Sequence, residues 1–245
     1  MIKYLIDDSY EGLLTAVYYA YKSKENVQEV VSYTAQLSLL DQIKKVSLEY
    51  DLATKVDNKL KKIMSLNSYR ELKLSLRSGE KDKLTIIFKY VILTIDSESD
   101  VSKNFLNEWV LKFSELIYKI KHEIHRYTGF IRFQKTKEGI YYANFLPDNN
   151  ICDLLLPHFI KRYNSMPMIL HDLKYDVLSA YNGKESKIVN KKLPPLKVDD
   201  SVIELFKKYY KSINIESRRN LKLQRNYMPK RYAKYMPETH DFDKL

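Results

Sequence analysis

A chain of 245 residues with 44% hydrophobic residues and a formal net charge of +11 carries enough apolar side chain for a sizeable core. Its longest apolar-rich stretch, LTIIFKYVILTI at Leu84–Ile95, is interrupted by Lys89 and is too short to cross a bilayer, and the opening MIKYLIDDSYEG has two acids where an export signal needs an apolar run. The single cysteine, Cys152, excludes an internal disulfide, so a reducing, cytoplasmic setting and no membrane are expected.

The elements follow in chain order. IKYLI reads as a strand, and Asp8 or Ser9 caps a helix with Leu13, Val17, Ala20 and Tyr21 on one face. KKVSLEY alternates through Val46, Leu48 and Tyr50 and predicts a second strand. Residues 51–127 then read as mostly helical, with LTIIFKYVILTI and NFLNEWVLKFSELIYKIKHEIHRY as core helices. At Gly129 the pattern changes. GFIRFQKTKEGIYYANFLP holds two alternating aromatic runs joined by a Lys-Glu-Gly turn, a hairpin signal. PDNNICDLLLPHFIKRY predicts a helix capped by Asn149 or Asn150 and kinked at Pro157, after which MPMILHDLKYDVLSAYNG and SKIVN supply three more extended segments. The expectation is one α+β domain over 1–245: a helical N-terminal half, an antiparallel sheet with an inserted helix, and over 199–245 a C-terminal helix with a basic, aromatic extension.

The charge excess is concentrated at that end. Residues 1–120 carry 18 Lys and Arg against 17 Asp and Glu, residues 121–200 carry 13 against 9, and residues 201–245 carry 11 against 5. From Phe206 to Tyr235 ten basic residues face one acid, Glu216, with Tyr209, Tyr210, Tyr227, Tyr232 and Tyr235 interleaved. Cations that follow a backbone and rings that stack on bases are what nucleic-acid binding uses. Arg218, Arg219, Lys222, Arg225, Lys230 and Arg231 are the candidate phosphate contacts, with Tyr227 and Tyr232 as stacking surfaces. Two other readings stay open here: a dock for a partner protein, and a solvated tail. Arg132, between the aromatics of GFIRF, is a further candidate contact, against the alternative of an exposed Arg on a half-buried strand.

GFIRF, YYANFLPDNNICDLLLPHFIKRY, ILHD and above all RRNLKLQRNYMPKRYAKYMPE carry a resemblance. The chain resembles, over nearly its whole length, a bacterial domain-of-unknown-function family of DNA metabolism proteins. That family occurs beside a DNA-repair radical SAM protein or fused to a uracil-DNA glycosylase-like domain. The resemblance implies DNA as ligand and a radical SAM or uracil-DNA glycosylase-like protein as partner. The chain departs from the family after ILHD, where Leu173, Lys174 and Tyr175 stand in place of an expected basic pair.

Other chemistry is sparse. His122, Glu123 and His125 form HEIH, whose spacing is not that of a zinc protease. His125, His158 and the His171–Asp172 pair are the candidates for general acid and base work, although adjacent strand residues point to opposite faces. Cys152 reads as a small core residue. With five glycines in the chain there is no glycine-rich phosphate loop, and with one cysteine no iron–sulfur ligand set. No metal site and no cofactor are expected. The leading expectation is a DNA-binding accessory protein; the alternatives are an interaction module without direct DNA contact and a histidine-dependent enzyme.

Overall fold

The computed structural model describes residues 2–37, 41–196, 198, 205, 208, 209, 212, 215, 217 and 220–236, with backbone alone at 221, 224 and 225. The chain forms two compact units, Met1–Lys121 and His122–Leu245, a division that a single-domain reading does not draw. Helices dominate the first half and a sheet the second, the mixed α+β class expected from the patterning. The helix expected at 201–213 lies largely outside the described residues.

In the first unit, β1 (Ile2–Ile6) lies between β2 (Val27–Ser32) and β3 (Gln42–Lys45), and both pairings are parallel. Parallel neighbours need a crossover, and α1 (Tyr10–Ser23) supplies the first. Ser9 caps α1 by accepting from the Gly12 amide at 3.1 Å. A Cβ at residue 12 would meet the Asp7 carbonyl oxygen at 2.6 Å, so the tight entry into α1 requires glycine. Leu13, Val17 and Ala20 turn into the core, as their spacing predicted, together with Leu14, whereas Tyr21, expected on the same face, is 53% exposed.

The second strand lies earlier than the alternation suggested. β3 ends at Lys45, the Val46 amide makes one last bond to the Leu5 carbonyl at 3.0 Å, and Tyr50 opens α2 (Tyr50–Ile63). β1 has five residues to offer, so the ladder is exhausted before Leu48. α3 (Leu66–Ser75) follows, capped by Ser65, which accepts from the Ser68 amide. α4 (Lys83–Asp96) borders the outer edge of β2. Thr85 Oγ1 accepts from the Val30 amide at 2.9 Å and donates to the Val30 carbonyl at 3.1 Å. One turn further on, Lys89 Nζ donates to the Val27 carbonyl at 2.6 Å. These side chains satisfy strand-edge groups that would otherwise stay unpaired.

α5 (Glu108–Phe130) contributes residues to both units and runs on through Gly129, where the sequence suggested that a hairpin begins. Arg132 follows the helix rather than lying in a strand: its Nη1 donates to the Gly129 carbonyl at 2.7 Å and to that of Ile131 at 3.3 Å, satisfying carbonyls at the helix end. The first hairpin arm is reduced to β4 (Gln134–Lys135), paired antiparallel with β5 (Tyr141–Phe145).

Next, α6 (Cys152–Tyr163) is inserted before β6 (Met168–Asp172), β7 (Val177–Tyr181) and β8 (Ser186–Asn190). The sheet order is β4-β5-β6-β7-β8, antiparallel except between β5 and β6, which run parallel. The expectation of an antiparallel sheet therefore needs one correction, at the inserted helix. A connection that contains a whole helix is a crossover and returns the chain to the same end of the sheet. Phe145, Leu155, Phe159, Met168 and Leu170 are buried in this unit. The short helices Leu221–Tyr227 and Lys230–Ala233 close the described chain.

Candidate functional site

The parallel β5–β6 pair brings two loops to one end of the sheet: Leu146–Ile151 after β5 and Leu173–Asp176 after β6. In open sheets with parallel strands, the carboxyl ends of the strands are where ligand-binding loops gather. Here the loops meet Glu123 and Tyr127 of α5 and Arg231 and Tyr232 of the basic segment.

Glu123, 3% exposed, is the centre of the cluster. Its Oε1 accepts from the Asp148 amide at 2.8 Å, and its Oε2 from the Asn149 amide at 2.8 Å and from Asn149 Nδ2 at 2.6 Å. Asn149 is thus spent on Glu123. Neither Asn149 nor Asn150 is the N-cap of α6; Ile151 holds that position and makes no side-chain cap bond. Burial raises the pKa of Glu123, opposed by the Asn149 hydrogen bonds and by the charges of Arg231 and Lys174.

Arg231 closes the cluster from the C-terminal segment. Its Nη1 pairs with Asp148 Oδ2, its Nη2 lies 3.6 Å from Glu123 Oε1, and Nη2 also donates to Tyr232 Oη at 2.7 Å. The Tyr232 ring is 2% exposed and sits 4.9 Å from the ring centres of both Tyr127 and Phe130. The guanidinium of Arg231 lies over that ring at 4.7 Å. Met236 is buried as well. Expected as a stacking surface, Tyr232 instead faces inward, and a nucleobase has no access to a ring buried this far; Arg231, expected as a phosphate contact, stays 40% exposed but is paired with Asp148.

The loop after β6 completes the cluster. Asp172 Oδ1 accepts from the Lys174 and Tyr175 amides at 2.8 and 3.1 Å, while Lys174 Nζ and Tyr175 Oη donate to the Asp148 carbonyl at 2.6 and 2.5 Å. Lys174 and Tyr175 therefore tie the two loops together. Asp172 is fully buried and its Oδ2 has no hydrogen-bond partner among the described residues. Burial, reinforced by Glu123, pushes its carboxyl up to about 6 against the bonds from the two amides.

The histidines occupy unlike settings. His125 on α5 and His158 on α6 are exposed, the latter with its ring 5.1 Å from that of Phe159. His171 is 1% exposed on β6, with Nδ1 2.7 Å from Tyr142 Oη, and burial lowers its pKa. No contact among the described residues joins the three. His171 and Asp172 do not bond to each other either, as strand geometry requires. Among the described residues no group of three or more His, Cys, Asp or Glu is arranged to hold a metal. Cys152 is buried, and burial raises its thiol to about 12.

Of the remaining basic candidates, Arg218 and Arg219 lie outside the described residues, as does the side chain of Arg225. Lys222 and Lys230 are exposed with no ion-pair partner among the described residues, and Tyr227 is 73% exposed. The arrangement separates two roles within one segment: Arg231, Tyr232 and Met236 anchor it, and Lys222, Tyr227 and Lys230 are left to solvent.

A family model, that of the domain of unknown function DUF4130, matches residues 81–238. The chain belongs to the DUF4130 family. No curated protein matches it. The DUF4130 region takes in every residue of the cluster, from Glu123 to Tyr232, together with Lys222, Tyr227 and Lys230. The sequence pattern marked Asp172, Arg231 and Tyr232 as site residues, Asn149 only as a helix cap, and Asp148 and Tyr127 not at all. Glu123 stood out only as part of a metal-like motif. The signal that could have found Glu123 is an acid on the apolar face of α5, in register with Ile120 and Tyr127.

Proposed function

We propose that the protein is a DNA-binding accessory to a DNA repair or modification enzyme, and that Lys222, Tyr227 and Lys230 are its direct contacts, with Arg218, Arg219 and Arg225 joining them from the same segment. One observation carries the reading: a 73%-exposed tyrosine lies between lysines with no acidic partner among the described residues, immediately before an anchored Arg231–Tyr232 pair. Exposed rings with unpaired cations suit a single-stranded or distorted backbone, where bases are free to stack. The anchor lowers the entropy lost when a basic segment binds. The enzyme served is a radical SAM protein or a uracil-DNA glycosylase-like protein, a partnership supported by the family resemblance of the C-terminal motif.

The test is fluorescence anisotropy with single- and double-stranded oligonucleotides across a salt series. The unaltered chain is compared with a Lys222→Ser, Tyr227→Ser, Lys230→Ser triple variant, whose altered side chains are all exposed. Binding should weaken by roughly tenfold or more in the variant, and the log–log salt slope should shrink by about 1.4 to 1.8 for the two cations removed. Absence of binding at low salt, or an unchanged variant, overturns the proposal and leaves the segment as a dock for the partner protein.

A further inference from the structure

Lys89 interrupts the most apolar helix of the chain, and the DNA-binding reading does not use it. In the first unit it lines an open cleft of about 500 Å³ whose walls include Ala20, Tyr21, Val27, Phe88 and Ile92. Its Nζ donates once, to the Val27 carbonyl at 2.6 Å. An ammonium has three donors, and among the described residues Lys89 has no carboxylate partner. Neither acid lining the cleft is ion-paired with Lys89 among the described residues. Glu25 accepts from Tyr4 Oη at 2.5 Å and pairs with Lys44 Nζ at 2.7 Å, and Asp96 is exposed.

Burial without a counter-ion holds the Lys89 ammonium below its ordinary pKa. Capping the Val27 carbonyl requires a donor but not a charge, as Thr85 shows by capping Val30 on the same strand with a hydroxyl. Lys24 and Asn26 line the same cleft and bring a second cation and an amide to it.

We propose that this cleft binds a small organic anion, a carboxylate or phosphate monoester on a planar apolar body, with Lys89 as its charge partner and Tyr21 and Phe88 against the body. A half-buried cation beside apolar walls is the arrangement that orients such a ligand: the walls take the body and one polar group fixes the head. The site is independent of the DNA contacts, which lie in the second unit.

The chain carries its own reporter. Trp109, its one tryptophan, has its ring 6.0 Å from Lys89 Nζ. Benzoate and phenyl phosphate are titrated into the full chain by calorimetry, with Trp109 fluorescence followed in parallel, and the headgroup that gives the tighter saturable response identifies the class. Lys89→Met, which keeps the length of the side chain and removes its charge, should weaken that binding by about tenfold or more, and Lys89→Arg should retain it to within about threefold. Circular dichroism confirms that both variants fold. No saturable binding of either probe, or equal binding by the unaltered chain and Lys89→Met, overturns the proposal.

Discussion

Burial of Asp172 makes its carboxyl a pH-dependent element of stability. Its pKa is raised from 3.8 to about 6 in the folded chain. Below about pH 3 the group is protonated folded or unfolded and imposes no penalty. Between about pH 4 and 6 the unfolded carboxyl ionises while the folded one keeps its proton, so the cost grows through this window and levels off at about 3 kcal/mol above about pH 7. Asp172→Asn retains Oδ1 for the Lys174 and Tyr175 amides and cannot ionise. It should stabilise the protein by about 1–2 kcal/mol near pH 7.5 and by no more than about 0.5 kcal/mol near pH 4, measured by urea unfolding at both values. Tyr232→Ala removes a buried ring wedged between two others and should cost about 3 kcal/mol in the same assay. The sequence marked Tyr232 as a stacking surface, and its ring packs on Tyr127 and Phe130. A tyrosine beside arginines has the same composition whether its ring stacks on a base or on Tyr127, and residues distant in the chain decide between them.

At the level of elements, the two hairpin turns separate strain from steric contact. Gly139 and Gly183 both have positive φ, +84° and +95°, but a Cβ at 139 meets nothing within 4 Å whereas one at 183 meets the Ser165 carbonyl oxygen at 2.7 Å. Gly139→Ala should therefore cost about 1 kcal/mol and Gly183→Ala at least about 2 kcal/mol, compared by thermal unfolding. The Arg231 anchor is testable by a double-mutant cycle with Glu123→Gln and Arg231→Ala. A coupling of about 1–2 kcal/mol is expected, discounted for the partial exposure of Arg231. A coupling near zero would leave the Arg231–Asp148 pair and the buried Tyr232 and Met236 as the anchor.

Most elements were legible in the sequence: α1, α4, α5 and the strands β6, β7 and β8 follow directly from periodicity and turn residues. The errors fell where pairing partners set the limits. β3 stops where β1 ends. β5 and β6 run parallel because the helix between them carries the chain across. Gly129 is an exposed helical glycine with nothing within 4 Å of a Cβ, so nothing at that position obliges α5 to end.

Across the whole molecule, the charge excess at the C-terminal end does not convert one for one into free cations. Arg231 is neutralised by Asp148 and Glu123 within its own unit. Removing it should leave the salt slope of DNA binding within about 0.5, whereas removing Lys222 or Lys230 should lower the slope by about 0.7–0.9 each. No helix among the described residues is long and apolar enough to cross a membrane. By itself the sequence determined the α+β class, most of the helices and the location of the basic end, because these depend on local periodicity and on counts of charge. Tertiary structure alone decided which basic residues are paired with acids, that Glu123 gathers the Asp148–Asn149 loop, and that Lys89 lines a cleft with no ion-pair partner among the described residues. Each of those outcomes depends on partners brought together from distant parts of the chain, and burial then gives a charge or a ring an energy that the same residue lacks in water.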